Sequence, residues 1–272
     1  MSLLAPLDRN ALTHASPSEV RAAVRAGRWT GTTKRMALGY HQANVTIVPE
    51  RHAFDFMRFC QRNPRAFPLL DVTDPGEPFA RLAAPEADLR TDISAYCIYR
   101  DGVMVDRVAN LRETWRQDHV AFLTGCNLSL DAVMIEARIP FPHLVRESAF
   151  PAQYRSNIAT RPAGVFHGPM VLSYRAVPAP LLQRVVELTS RYPLCHGGPV
   201  HVGDPAAIGI ADLAACDWGR PPEPEPGTTP CFFACGITAQ AAALASGIPE
   251  MITHAPGHLF LTDLPISDRS LG

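Results

Sequence analysis

No stretch of this 272-residue chain approaches the roughly 20 consecutive apolar residues of a bilayer-spanning helix, so no membrane partner is expected. The opening residues, MSLLAPLDRN, lack the charged, then apolar, then small-residue order of a secretory signal, which points to a cytoplasmic protein. A surplus of one charge is also missing. The 25 Lys and Arg residues balance 26 Asp and Glu residues, and no basic cluster marks a nucleic-acid partner. The seven cysteines, at 60, 97, 126, 195, 216, 231 and 235, are odd in number and scattered, so reduced thiols are expected. Cys231 and Cys235 have no second pair at zinc-finger spacing, and no HExxH frame is present. Neither a GxSxG elbow nor a GxxxxGK[ST] loop occurs: GRWTGTTK, 27–34, follows a helical pattern and lacks the lysine spacing. Cofactors and structural metals are therefore not expected, and there is no internal repeat or heptad run.

What the chain does have is enough apolar sequence, 47%, for a substantial core, and a length that suggests two domains. Ser16-Pro17-Ser18-Glu19 predicts a capped helix closed by Gly27. QANVTIVP, 42–49, predicts a strand; HAFDFMRFCQ, 52–61, a helix ending near Asn63-Pro64; and 69–72 a short strand. Asp101-Gly102 sits between two β-rich halves as a hairpin turn. WRQDHVAFLTGC and LSLDAVMIEARI, from Trp115 onward, read as a helical hairpin. A β-α-β unit follows over 168–203, then strand, helix and two strands to the end. The expected fold class is α/β: a mixed-sheet α/β domain of residues 1–110 plus 205–272, with an inserted smaller α+β domain of residues 111–204 and the site in the cleft between them.

Candidate chemistry concentrates in RYPLCHGGPVHVGDPAAIGIADL, 191–213, where imidazoles and carboxylates are interleaved with glycines in a segment too broken for one regular element. His201 with Asp204 is a base and its orienter, and His254 or His258, in THAPGH, a general acid. The two histidines with Asp204 or Asp263 also leave a metal site open as a lesser alternative. Cys235-Gly236-Ile237-Thr238 opens an alanine-rich helix that Thr238 would cap, leaving the amides of Gly236 to Thr238 free to hold an anion or oxyanion. Cys235 or Cys60 could act as a nucleophile, a less favoured route because a thiolate attacks an unactivated carboxylate poorly. Arg90 and Arg155 are carboxylate clamps, supported by Asn157, Cys60 and Asn63. A small carboxylate or amino acid is the expected partner, with room for a homo-oligomer.

FCQRNPRAFPLLDV, DLRTDI, TGCNLSLDAVMIEARIP, YRSNIATRPAGVFHGPMVLSYR, HGGPVHVGDPAAIGIADL, ACGITAQAA and THAPGHLFLTD, in this order, resemble the D-glutamate cyclase family over almost the whole chain. The resemblance implies a mixed α/β structure and a hydro-lyase that dehydrates D-glutamate to 5-oxo-D-proline by closing the α-amine onto the γ-carboxylate. One departure is Lys34-Arg35, where the family tends to have a glycine soon after the threonine. The competing readings are a non-catalytic carboxylate or amino-acid binding protein and a hydro-lyase for another small hydroxy or amino acid.

Overall fold

The computed structural model describes residues 7–141, 144, 151–223 and 225–267. Among them, α1 (Arg9–Thr13) and α2 (Pro17–Arg25) lead into the long strand β1 (Tyr40–Pro49), which passes directly into α3 (Glu50–Arg62). The expected capping box at α2 forms: Ser16 Oγ accepts the Glu19 amide and the Glu19 carboxylate takes the Ser16 amide. Strands β2 (Leu69–Val72), β3 (Tyr96–Arg100), β4 (Val103–Val108) and β5 (His119–Gly125) follow, then the short helix α4 (Asp131–Glu136). The second half holds β6 (Gln153–Ala159), β7 (Pro169–Pro178), α5 (Leu182–Ser190), β8 (His201–Val202), β9 (Thr228–Ala234), α6 (Thr238–Ser246), β10 (Met251–His254) and β11 (Phe260–Pro265).

The strands form two sheets. The larger has the order β2-β5-β1-β10-β3-β4, with β11 also on β1, and the smaller runs β6-β7-β9-β8. Every pairing is antiparallel. Both β7 and β8 run antiparallel to β9 and so are parallel to each other across α5, which is the expected β-α-β unit with a third strand between its arms. The β3–β4 hairpin turns at Asp101 (φ 48°) and Gly102 (φ 78°), the doubly left-handed geometry that suits this dipeptide. Content is thus α/β.

Two expectations differ from the structure. HVAFLTG is not a helix but β5, buried over all seven residues between β1 and β2. A short apolar run buried on both faces has no period to distinguish strand from helix. Sheet membership also follows a different division from residues 1–110 plus 205–272 and 111–204, because β5 joins the larger sheet and β9 the smaller.

Alternation along β1 decides where chemistry is placed. Ala43, Val45 and Ile47 enter an apolar cluster with Leu89, Tyr96 and Phe260 on one face of the sheet. On the other face Val48 packs with Phe56, Phe59 and Phe122, but nearer the strand's start that face carries Gln42, Asn44 and Thr46, all buried. Helix α6 connects β9 of one sheet to β10 of the other, so its first turn lies at their junction.

Candidate functional site

A hollow of about 340 Å³ opens at that junction. Its walls come from both sheets: Asn44 of β1, Cys126 and Asn127 after β5, Gln153 of β6, Ser173 of β7, Cys235 and Ile237 at the entry to α6, and His254 at the end of β10.

His254 reaches the hollow because β1 changes partners there. Strand β10 pairs with β1 at Thr46 and Ile47, whereas β11 pairs from Ala43 back to Tyr40. In the gap the Val45 amide donates to His254 Nδ1 at 3.1 Å, so the imidazole ring takes over a rung of the ladder. The Val45 carbonyl lies 3.3 Å from the same Nδ1, so the proton sits on Nε2 in the tautomer that accepts the amide and on Nδ1 in the one that donates to the carbonyl. Burial, aided by nearby His258, pulls the His254 pKa down to about 4, so the ring is neutral near pH 7.

Opposite in character is Gln153, 3% exposed, whose Oε1 is buried without a hydrogen-bond partner among the described residues. An orphaned buried acceptor is costly unless a ligand or water completes it. Asn44 is held firmly, donating from Nδ2 to the carbonyls of Gly125 (2.7 Å) and Thr124 (3.3 Å). Gly236 lies against it so closely that a Cβ there would come 2.1 Å from Asn44 Cγ. Gly236→Ala is therefore expected to cost about 1–3 kcal/mol of stability and to displace Asn44. Adding Asn44→Ala should recover most of the melting temperature; a single Gly236→Ala protein that melts like the parent would contradict this packing.

Of the thirteen residues proposed from sequence, including Asp263, the hollow gathers two, His254 and Cys235, with Gly236 bordering it. Burial raises the Cys235 pKa, against a hydrogen bond from Ser173, so the thiol stays protonated. Of the three amides expected to hold an anion, that of Thr238 is already used within the turn. The amides of Thr238, Ala239 and Gln240 bond to the carbonyls of Cys235, Gly236 and Ile237, and Thr238 Oγ1 accepts the Val171 amide of β7 instead of capping α6.

The remaining candidates are satisfied elsewhere. His201 Nε2 donates to the backbone carbonyl of Asp204 at 2.8 Å, while the Asp204 carboxylate accepts the Ala206 amide, so the expected base and orienter meet through backbone at an exposed loop. His258 lies buried between Ser94 Oγ (2.8 Å to Nδ1) and Arg107 (3.0 Å to Nε2). Since Ser94 donates to the Gly31 carbonyl, Nδ1 is the donor and Nε2 accepts, which leaves no free ring nitrogen. Arg90 is bidentate to Asp88 (2.9 and 2.8 Å), and Arg155 stands 3.6 Å from Asp217 and over the Trp218 ring. Asn157 is exposed on β6 beside Gly209. Asn63 closes α3, exchanging bonds with the Arg161 backbone, and Cys60 is buried in the α3 core with its pKa raised by burial. Asp263 pairs with Arg21 at 2.9 Å, and among the described residues no group of three His, Cys, Asp or Glu side chains is placed to hold a metal.

These placements set the chain beside known proteins. A family model described as D-glutamate cyclase matches residues 120–263. The chain belongs to the D-glutamate cyclase family. Three curated relatives of this D-glutamate cyclase family member bear the name "Putative hydro-lyase". The one from Thermoanaerobacter sp. strain X514 is 50% identical over 248 residues, covering 91% of this chain and 93% of its own. That of Stutzerimonas stutzeri is 49% identical over 257 residues, 94% of this chain and 96% of its own. The Bacillus subtilis relative is 45% identical over 256 residues, 94% and 98% respectively. Among solved structures, a nitrogen repressor-like protein from Methanococcus jannaschii shows a TM-score of 0.38 and 11% identity over 90% of this chain and 97% of that one. The family match spans Cys126, Asn127, Gln153, Ser173, Cys235 and His254 of the hollow, whereas Asn44 precedes it.

Asn44, Asn127, Gln153 and Ser173 escaped the reading of the sequence. The one signal for Asn44 was QANVT itself, in which polar residues alternate along an otherwise apolar strand. On an edge that pattern marks a wet face; in a central strand it marks polar groups committed to the interior.

Proposed function

We propose that the protein is a hydro-lyase that dehydrates D-glutamate to 5-oxo-D-proline in the hollow between the two sheets. The observation that carries this reading is the pairing, in one hollow, of a neutral imidazole at His254 with an orphaned acceptor at Gln153; the reading takes the Nε2–H tautomer of His254. Family membership and the relatives' hydro-lyase names support the reaction class.

The reaction joins the α-nitrogen to the γ-carboxyl carbon and breaks one of that carbon's C–O bonds. Of the three protons on the ammonium, one stays on the lactam nitrogen and two leave with the departing oxygen as water, so the step balances without an external acid, base or oxidant. The protein's task is to fold the substrate and carry charge through the tetrahedral stage. Gln153 Oε1 accepts an N–H of the amine and aims the nitrogen's lone pair. His254 Nε2–H donates to the carboxylate oxygen on which negative charge grows. Such a ring closure gains much from orientation alone, because well-aligned intramolecular reactions reach effective molarities of about 10⁵ M and above. The protonated Cys235 thiol argues against a covalent route.

Incubation of the purified protein with D- and L-glutamate, followed by mass spectrometry, is expected to show loss of one water from the D enantiomer. Thermal stabilisation by D-glutamate with no product would instead identify a binding protein.

A further inference from the structure

A second hollow, of about 290 Å³, shares Asn127 with the first and is lined also by Leu130, Asp131, Met134, Arg175 and Phe233. Arg175 comes from β7 two residues beyond Ser173, so the two side chains leave the same face of one strand, each toward one of the adjoining hollows. It is 5% exposed. A guanidinium has five N–H donors, and among the described residues Arg175 makes two hydrogen bonds, one to the Tyr174 carbonyl and one to Asn127 Oδ1, each 3.1 Å. Both acceptors are uncharged. A buried cation with spare donors is a site for an anion, and a planar fork suits a carboxylate. Burial lowers the Arg175 pKa, and the nearby Asp131 carboxylate opposes that shift.

We propose that Arg175 binds the α-carboxylate of an α-amino acid substrate, with Asn127 as the positioning residue that orients the guanidinium. This rests on the reading of the neighbouring hollow as the place of ring closure. A ligand reaching past Asn127 has its head group at Arg175 and its γ-carboxylate near His254. The α-carboxylate is then a required recognition element, although it takes no part in the bond changes. γ-Aminobutyrate, which could form the same ring but lacks that group, is excluded.

The test uses the whole protein with D-glutamate, glutarate and γ-aminobutyrate. Wild-type protein is expected to melt higher with D-glutamate, less so with glutarate, and no differently with γ-aminobutyrate. Arg175→Met is expected to raise KM, and the D-glutamate concentration for half-maximal thermal shift, about 100-fold while kcat changes far less. Arg175→Lys, which keeps the charge without the fork, should fall between. A folded Arg175→Met protein with the parental KM would overturn the proposal; if that variant fails to fold, an unchanged KM in Arg175→Lys would do so. Equal stabilisation by γ-aminobutyrate, or no shift of the wild type by any of the three, would also end it. Arg175-dependent stabilisation without turnover would keep this inference and remove the cyclisation reading, whereas turnover indifferent to Arg175 would do the reverse.

Discussion

Replacing His254 with alanine is expected to lower kcat for D-glutamate dehydration by about 10²–10³-fold, the loss typical when one donor to a developing oxyanion is removed. KM should move much less, because the ring's contact strengthens only as charge builds on the carboxylate oxygen. His254→Gln can present an amide N–H to the same hollow and should retain more activity than alanine if it folds. The ring's protonation adds an independent handle. With its pKa held near 4, His254 contributes no titration between pH 6 and pH 8, and its effect on kcat should appear only as the solution approaches pH 4. A kinetic pKa near 6.5 that vanishes in His254→Gln would contradict a neutral donor and point to an ordinary acid–base histidine.

Acid should unfold the protein unusually early for a chain with balanced charge. His196, His254 and His258 are all buried, and burial lowers each pKa to about 4. In the unfolded chain the same rings titrate near 6.5, so protons bind the unfolded state first. Stability from these groups is complete above about pH 6.5 and is lost as the solution is acidified toward 4. Each ring accounts for on the order of 3 kcal/mol over that interval. Carboxylates lowered by their partners, Glu250 beside His119 among them, act mainly below this window. Melting temperature measured from pH 7.5 to 4.5 should therefore fall steeply below about 6. A flat profile down to pH 5 would show that the rings are not held neutral. Folded single variants such as His196→Gln should reduce the slope by close to one proton.

Much of the architecture was legible where short-range chemistry decides it. Ser16 and Glu19 specify their own helix start, and Asp101-Gly102 its own turn, through bonds and dihedrals local to a few residues. HVAFLTG was misread because its environment, two strands and two covered faces, comes from segments far away in sequence. The site divides in the same manner. His254 and Cys235 were visible as reactive residue types in broken segments. His201, Asp204 and Arg90 were equally visible, but each finds a partner two or three residues away and has no call on a ligand. Gln153 and Arg175 looked like ordinary strand residues, and only the meeting of two sheets leaves their polar groups under-used.

Strand β1 is flanked by β5 on one edge and by β10 and β11 on the other, so its final neighbours are encoded more than 200 residues after it. During translation a doubly buried strand must therefore wait, half-clothed, until the segment 251–265 has been made. Slow pairing and an exposed edge on the growing chain are the expected cost of building an enclosure from segments so far apart in sequence.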